Sequence, residues 1–237
     1  MLLVATYLWA PHPGTMAAAN PYTAEDVRLL QRMVARNLTV PHEFAVITDQ
    51  PNLFAGDRSI RVVPMDASKH IHGTRFARLM TFRPDARDVL DDRVLQLDLD
   101  CVIVGNIDHL VSRGEDLVLW RNPERTATTP NEPIWNTSIL LHRCGTKPEV
   151  WTSHVRGNGV MIQQFRDDNW WLSSRLGPDI PAFCEDDGIY RLAHKGRVGV
   201  WGDQPANASI VFFAGAGARP DNATVMAANP WIAEHRK

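Results

Sequence analysis

Short apolar runs alternate with segments of helical periodicity along most of this chain. The runs that predict strands are, in chain order, Leu2–Trp9, Phe44–Thr48, Ile60–Val63, Val94–Leu97, Leu117–Trp120, Ile134–Leu141 and Ile210–Phe213. Apolar residues at helical spacing follow Thr23, a predicted helix N-cap with Asp26 at the third helical position. Strands that alternate with helices in this way are typical of layered α/β proteins. The pattern therefore predicts an α/β fold whose two halves share one sheet.

Further helices are predicted in both halves of the chain. They cover Thr74–Phe82, a shorter segment that leads to Leu90, the region Pro148–Phe165 and a segment after Asp168. Continuous apolar strands are usually covered on both faces, so ligands gather at their carboxyl ends. Polar residues at strand ends are therefore the first candidates for a functional site.

Two carboxylates separated by one residue, Asp98 and Asp100, stand where the run Val94–Leu97 ends. Carboxylates at the end of a buried strand cost free energy unless a cation or hydrogen-bond donors pair with them. Hard oxygen ligands favour Mg²⁺ or Mn²⁺, and such a metal could in turn hold a diphosphate. The spacing thus predicts a metal site, and the structural alternative is an N-cap beside a solvated turn carboxylate.

The same dipeptide spacing also fits a second enzyme class. Phosphatases of the haloacid dehalogenase type place Asp-x-Asp-x-Thr/Val after an apolar strand, with the first Asp as nucleophile and the second as acid and base. Asp98–Val102 matches that string. That family normally has the motif on its first strand, whereas three predicted strands precede it here. This departure makes the phosphatase the weaker interpretation.

Several further motifs occur in a fixed order from the first strand to about residue 222. They are Tyr7 in the first strand, Phe44–Asp49, Phe76–Pro84, Leu97–Leu110, Trp135–Leu141, Arg166–Leu172 and Ile210–Pro220. Together with the two carboxylates, this set resembles nucleotide-sugar-dependent glycosyltransferases of the GT-A fold, and is similar to glycosyltransferase family 8 and its glycogenin-like members. The order of the motifs is more specific than any one of them.

The resemblance implies a fold, an activity and a cofactor. The fold would be GT-A, a Rossmann-like α/β single domain over residues 1–237 with a central mixed, mostly parallel sheet. Residues up to about 110 would form the nucleotide-sugar half and the rest the acceptor half. The activity would be metal-dependent transfer of a sugar from a nucleotide donor, a UDP-sugar, with Mn²⁺ or Mg²⁺ bound, and with retention at the anomeric carbon.

The resemblance also assigns roles to individual residues. The donor would contact Tyr7, Thr48, Asp49, Arg78, Asp98 and Arg219, with the aromatic ring against the uracil and the two arginines at the diphosphate. Asp98 and Asp100 would hold the metal, and Asp100 would be its direct ligand. Asn136 and Asp168 would lie around the transferring sugar as catalytic side chains. The structural alternatives are an ordinary strand-end amide for Asn136 and a helix N-cap for Asp168.

Two positions depart from the family pattern. Ala214 stands where the family has a metal-binding His, and Arg219 stands where it has a Lys. An arginine binds phosphate in bidentate fashion, so Arg219 could still bind the diphosphate in place of the Lys. The first departure leaves the third protein ligand of the metal open, and a carboxylate of the acidic turn Glu185–Asp187 is one replacement.

Composition narrows the possible partners. Lys and Arg total 25 against 27 Asp and Glu, a formal net charge of -2, which argues against attachment to nucleic acid or membranes by bulk charge. The three cysteines form no CxxC pair and predict reduced thiols. The opening apolar run has no basic segment before it and is far shorter than the roughly 20 residues of a membrane span, so a cytoplasmic protein is expected.

The acceptor and the possibility of a non-catalytic role stay open at this stage. A glycan or lipid-linked saccharide is one expected acceptor. A hydroxymethylated DNA base is another, because an Arg- and His-rich stretch covers Arg58–Arg93 and could meet phosphates. A carbohydrate-binding module without catalysis is the third interpretation, and it predicts sugar binding that needs no metal.

Overall fold

The computed structural model describes residues 1–10, 21–66, 75–123, 132–157, 164–193, 199–213 and 219–237. The strands in these segments are β1 (Leu2–Leu8), β2 (His42–Thr48), β3 (Arg61–Pro64), β4 (Arg93–Leu97), β5 (Val102–Ile103), β6 (Leu117–Arg121), β7 (Trp135–Arg143), β8 (Ala182–Phe183), β9 (Ile189–Arg191) and β10 (Ile210–Phe212). The α-helices are α1 (Ala24–Asn37), α2 (Ala86–Leu90), α3 (Asp108–Val111), α4 (Glu149–Arg156), α5 (Asp168–Leu176), α6 (Ala223–Ala228) and α7 (Trp231–His235). Short 3₁₀ helices cover Pro51–Phe54, Arg75–Phe82 and Glu185–Asp187.

A seven-stranded sheet organises the described part of the chain, in the order β3-β2-β1-β4-β7-β6-β8. Neighbouring strands are parallel except that β7 runs antiparallel to both β4 and β6. The prediction of an α/β fold with a central mixed, mostly parallel sheet is confirmed. Strands from both halves of the chain belong to this sheet, as the alternation of apolar runs predicted.

A second sheet of three strands corrects the prediction that one sheet holds every strand. Its order is β5-β10-β9, with β10 antiparallel to β5 and parallel to β9. Strand β5 follows Asp100, leaves the main sheet and pairs with β10. Strands of two or three residues are too short for periodicity to assign them to a sheet.

Both faces of the main sheet are buried, because side chains alternate along each strand. In β1, Leu2 and Val4 belong to the apolar layer that includes Leu30 of α1, whereas Leu3 and Ala5 belong to the opposite layer. That opposite layer also takes residues from the 3₁₀ helix Arg75–Phe82, from α4 and from α5. The site segments are therefore anchored to a core that covers the sheet on two sides.

Local signals at the helix ends explain where the helices begin. Thr23 and Asp26 form the predicted capping box at the start of α1. The helix predicted over Thr74–Phe82 is a 3₁₀ helix over Arg75–Phe82. In α5 the N-cap is Asp167, whose side chain accepts from Trp170 N, so Asp168 is a helical residue and not the cap. The capping alternative for Asp168 is therefore wrong.

The order of the strands fixes where a ligand site is expected. The chain adds β2 and β3 on one side of β1 and then returns to place β4 on its other side. The carboxyl ends of β1 and β4 therefore border a topological switch point, where open α/β sheets bind ligands. The antiparallel β7 begins at this same edge. In the segments described, no helix has the length and apolar character needed to span a membrane.

Candidate functional site

Arg78 and Asp98 form an ion pair at the carboxyl end of β4. Asp98 is fixed by its backbone N–H, which donates to Ser138 O of β7 at 2.9 Å. Arg78 comes from the 3₁₀ helix Arg75–Phe82, and its Nη1 donates to both carboxylate oxygens of Asp98 at 3.0 and 2.9 Å. The neighbouring residues Ala77 and Leu79 are fully buried, so the arginine projects from an anchored segment. Two site residues predicted from separate motifs are thus in direct contact.

Arg78 also pairs with Asp168 at the start of α5. The Nε of Arg78 lies 3.2 Å from Asp168 Oδ2, and the Asp168 side chain is 0% exposed. The other oxygen, Oδ1, is buried and has no hydrogen-bond partner within the described segments. Burial raises the pKa of Asp168 to about 6, although the positive charge of Arg78 opposes the shift. Asp168 is therefore a buried carboxylate that keeps one oxygen without a hydrogen-bond partner among the described residues.

Thr137 of β7 joins these groups. Its hydroxyl oxygen lies 2.9 Å from Arg78 Nη1, 2.9 Å from Asp168 Oδ2 and 3.0 Å from Asn169 Oδ1. Its backbone N–H donates to Asn169 Oδ1 at 2.9 Å. Strand β7, helix α5 and the 3₁₀ helix therefore meet at one buried hydroxyl.

Asn136 precedes Thr137 in β7 and lies beside this cluster. Its Oδ1 accepts the backbone N–H of Ser138 at 2.8 Å, which is the local contact of a strand-end amide. The residue is partly exposed. The predicted position near a sugar and the structural alternative are compatible with this geometry.

Asp100, Tyr22 and Arg219 form the other side of the site. Asp100 Oδ1 is buried and has no hydrogen-bond partner within the described segments. Burial raises the pKa of Asp100 well above its usual range, and the negative charge of Asp98 adds to the shift. The guanidinium carbon of Arg219 lies 3.8 Å from the centre of the Tyr22 ring, and Arg219 donates to both carboxylate oxygens of Asp221 at 3.0 and 2.8 Å.

The donor set of Asp98 and Asp100 fits a hard divalent cation. An unpartnered, buried carboxylate oxygen beside a second carboxylate is stabilised when a cation binds, and oxygen ligands suit Mg²⁺ or Mn²⁺. Across the described residues, no three His, Cys, Asp or Glu side chains converge on one point. The chain thus offers two carboxylates here, and Ala214, where a third ligand was expected, lies outside the described residues.

Three predicted donor-binding residues make hydrogen bonds to the backbone near the ends of β1 and β2. Tyr7 is 6% exposed and its hydroxyl donates to the backbone oxygen of Arg78 at 3.4 Å. Thr48 is buried at the end of β2, and its hydroxyl accepts from Gln50 N at 2.9 Å. Asp49 accepts from Ala10 N with both oxygens, at 3.0 and 3.3 Å. These contacts fix the ends of β1 and β2, and Tyr7 lies beneath the arginine rather than at the surface.

Two residues of the site had no role in the sequence interpretation. Thr137 stands between Asn136 and Ser138, where three small polar residues at a strand start could have marked a hydrogen-bonded junction. Tyr22 immediately precedes the capping box of α1, and its ring is brought to Arg219 by the entry of the chain into that helix. Neither contact follows from local periodicity, because each joins segments far apart in the chain.

Comparisons with known proteins support the fold. No protein-family model matches the sequence, and no curated protein matches it either. The galactosyltransferase LgtC, solved in complex with donor and acceptor sugar analogues, is similar in structure with a TM-score of 0.58 and 12% identity, over 100% of this chain and 97% of LgtC. An active-site mutant of LgtC gives a TM-score of 0.57 and 14% identity, over 94% and 91% of the two chains.

The glycosyltransferase GlyE of Streptococcus pneumoniae TIGR4 is a further structural neighbour. Its TM-score is 0.61 at 13% identity, and the match covers 94% of this chain but 57% of GlyE. The chain therefore spans little more than half of that protein. At such identities the likeness shows the fold alone, and this chain has the fold of GT-A glycosyltransferases.

Proposed function

We propose that this protein is a metal-dependent glycosyltransferase that moves a sugar from a UDP-sugar to a hydroxyl group of an acceptor glycan. The observation that carries the proposal is the charge arrangement at the switch point of the sheet. There Arg78 lies between Asp98 and Asp168, and Asp100 has a buried, unpartnered carboxylate oxygen. Support for the donor and acceptor classes comes from LgtC, a galactosyltransferase solved with donor and acceptor sugar analogues on a similar fold.

Cleavage of a nucleotide sugar requires that the charge on the departing diphosphate be met. Arg78 pairs with Asp98, and the positive charge of Arg219 acts on Asp100. Guanidinium groups bind phosphate oxygens in bidentate fashion. A divalent cation on Asp98 and Asp100 would supply further positive charge to the diphosphate. Arg219 would exchange its present partner, Asp221, for the phosphate when the donor binds.

Asp168 is the residue that we place beside the transferring sugar. Its Oδ2 is held by Arg78 and Thr137, which leaves Oδ1 to accept a hydroxyl or to face positive charge that develops at the anomeric carbon. A carboxyl group with a pKa of about 6 is mainly ionised at neutral pH, as both roles require. Asn136 would donate its amide to the same sugar from the adjacent strand start.

The donor nucleoside is proposed to lie over the ends of β1 and β2. Thr48 and Asp49 shape that edge through their contacts with Gln50 and Ala10. The Tyr7 hydroxyl donates to the backbone oxygen of Arg78 and so helps to position the arginine. The predicted stacking of Tyr7 on uracil would require this buried ring to be uncovered, so we assign Tyr7 a supporting role in donor binding.

The phosphatase alternative is less well supported. It needs Asp98 as a nucleophile, whereas the structural neighbours of this chain are glycosyltransferases. Its motif also belongs on a first strand, and here it follows β4, the fourth strand of the chain. No contact in the described residues favours a DNA base over a glycan hydroxyl as acceptor.

The proposal is tested by measuring thermal stability with UDP and a panel of UDP-sugars, with and without Mn²⁺. A donor at 100 times its Kd should stabilise the protein by about 2.7 kcal/mol, and only with metal present. The donor that stabilises most is then incubated with oligosaccharide acceptors, and the products are measured by mass spectrometry. Stabilisation without any transfer would indicate a binding module, and no response to any nucleotide would contradict the proposal.

A further inference from the structure

Thr137 is the one residue in the described site that contacts both the buried arginine and the buried carboxylate at α5. Its side chain is 1% exposed. Arg78 Nη1 lies 2.9 Å from the hydroxyl oxygen, and Asp168 Oδ2 lies at the same distance on the other side. A cation and an anion from two different segments therefore share one hydroxyl of β7.

The direct contact between Arg78 and Asp168 is electrostatic rather than hydrogen-bonded. Their Nε and Oδ2 atoms are 3.2 Å apart, yet Arg78 Nε makes no hydrogen bond within the described segments. The hydrogen-bonded connection between the two side chains runs from Nη1 to the hydroxyl and from the hydroxyl to Oδ2. Thr137 therefore determines how the two charges are oriented, because hydrogen bonds are directional and Coulomb attraction is not.

The position of the hydroxyl hydrogen follows from the donors and acceptors present. Arginine has only donors, so Arg78 must donate to Thr137 Oγ1. The single hydroxyl hydrogen then goes either to Asp168 Oδ2 or to Asn169 Oδ1, which lies at 3.0 Å. Asn169 Oδ1 already accepts the backbone N–H of Thr137, and an ionised carboxylate is the stronger acceptor. The hydrogen therefore points to Asp168.

Thr137 also sets the orientation of Asn169. Because the backbone N–H of Thr137 must meet an oxygen, the amide oxygen of Asn169 faces β7 and its Nδ2 group faces away. The side-chain oxygen of Asn169 is therefore occupied by a hydrogen bond to β7, and its NH₂ group points away from that strand. The same threonine thus orients two neighbouring residues of α5, Asp168 and Asn169.

We propose that Thr137 is a positioning residue for sugar transfer, whose hydroxyl holds Arg78 and Asp168 in one arrangement and whose backbone N–H orients Asn169. This inference rests on the proposed function for its effect on turnover. The hydrogen bonds themselves can be tested whether or not transfer is found.

The kinetic test compares Thr137→Val with Thr137→Ser. Valine keeps the branched shape that suits a strand but removes the hydroxyl, whereas serine keeps the hydroxyl and removes the methyl group. We expect Thr137→Val to lower kcat about 100-fold, as misplaced catalytic groups do, and to change the donor KM less than about threefold. Thr137→Ser should stay within about threefold of the natural protein in both constants.

The pH profile adds a readout that a purely structural role would not move. The hydroxyl stabilises ionised Asp168, so its loss raises the pKa of that carboxyl further. The acid limb of kcat should therefore move to higher pH in Thr137→Val and stay in place in Thr137→Ser. Equal damage from both substitutions, or natural kcat with an unmoved limb in Thr137→Val, would overturn the proposal.

A double-mutant cycle tests the same contact without turnover. Thr137→Val, Asp168→Ala and the double variant are compared with the natural protein by thermal unfolding. If the hydroxyl donates to Asp168, the fall in Tm of the double variant is smaller than the sum of the two single falls. If the two falls in Tm are additive, the positioning role of Thr137 is overturned even where sugar transfer is observed. If they are not additive but the protein transfers no sugar, only the proposed function is overturned.

Discussion

Arg78 is held between two carboxylates, and the one it reaches with Nε, Asp168, is completely buried. The arginine side chain is 12% exposed and that of Asp168 is 0% exposed. Burial alone would lower the pKa of Arg78, yet the carboxylates of Asp168 and Asp98 raise it above the usual value. Arg78 therefore stays protonated, and its positive charge stabilises the buried, ionised carboxylate of Asp168.

This dependence predicts that Arg78→Met destabilises the fold in a pH-dependent manner. The change leaves Asp168 as an uncompensated buried charge and should cost about 3–5 kcal/mol at neutral pH. Below the pKa of Asp168 the carboxyl is neutral, so the cost should shrink as the pH falls. Urea unfolding at several pH values measures it. Arg78→Met with Asp168→Asn should recover part of the lost stability, and a loss that is independent of pH would contradict the explanation.

Asp100→Asn should stabilise the metal-free protein while it abolishes the response to Mn²⁺. The raised pKa of Asp100 means that its ionised form costs stability above the unfolded-state value near 4, so a neutral amide removes that cost. We expect a gain of about 0.5–2 kcal/mol at neutral pH and a loss of donor binding with metal.

A matched control for this change is Asp116→Asn. Asp116 pairs with Arg143 Nε at 2.7 Å and is 62% exposed, at the carboxyl end of β7, whereas Asp98 contacts Ser138 nearer the start of that strand. The same substitution there should leave the metal response intact. Loss of the response in both variants, or retention in both, would contradict the assignment of Asp100 to the metal.

Asp100 and Asp168, whose pKa values are raised, favour folding as the pH falls, whereas His142 should act in the opposite direction. This side chain is fully buried in β7, packs on the Phe82 ring and lies 2.9 Å from Thr81 Oγ1. Burial lowers its pKa to about 4 from an unfolded value near 6.5. The neutral folded form therefore contributes stability above pH 6.5 that is lost as the pH falls towards 4, by up to about 3 kcal/mol.

The measurement is the free energy of unfolding between pH 7 and pH 4, in the natural protein and in His142→Gln. Glutamine keeps a polar side chain at this position but does not titrate. The natural protein should lose stability relative to the variant as the pH falls from 7 to 4. An identical slope in both proteins would show that other groups cause the acid sensitivity.

Gly188→Ala should be strongly destabilising. Gly188 ends the 3₁₀ helix Glu185–Asp187 with φ +73°, and an added Cβ would lie 2.5 Å from the backbone oxygen of Asn207. Backbone strain and a clash with backbone act together here, so we expect a loss of more than about 2 kcal/mol. Gly56→Ala is the control, because Gly56 has φ +94° and no described atom within 4 Å of its Cβ position. It should cost about 1 kcal/mol by thermal unfolding.

The sequence was sufficient for the elements whose signals are local. The capping box at Thr23 and Asp26 and the apolar runs of β1, β2, β4 and β7 gave strands and a helix close to their observed positions. The second sheet was missed because β5 and β9 have two and three residues, too few to show a period. Their place depends on pairing across the chain, which local patterns do not encode.

The site residues also differ in whether local sequence motifs could predict them. Arg78, Asp98 and Asp168 were proposed from their motifs, and the structure places them in contact. Thr137 was missed because its importance lies in three partners from other segments. The N-cap interpretation of Asp168 is wrong because the cap is the preceding residue, Asp167, and Asp168 is a buried residue of the first helical turn.

The short second sheet has a consequence for how the site is assembled. Strand β5 follows Asp100, and its partner β10 precedes Arg219 along the chain, so their pairing ties the two ends of the site together. Arg78 pairs with Asp98 and the charge of Arg219 acts on Asp100, so a fragment that lacks either arginine lacks part of the candidate site. During synthesis the carboxylates therefore emerge long before the second arginine, so the proposed donor site can be complete only once the chain through Arg219 has been made.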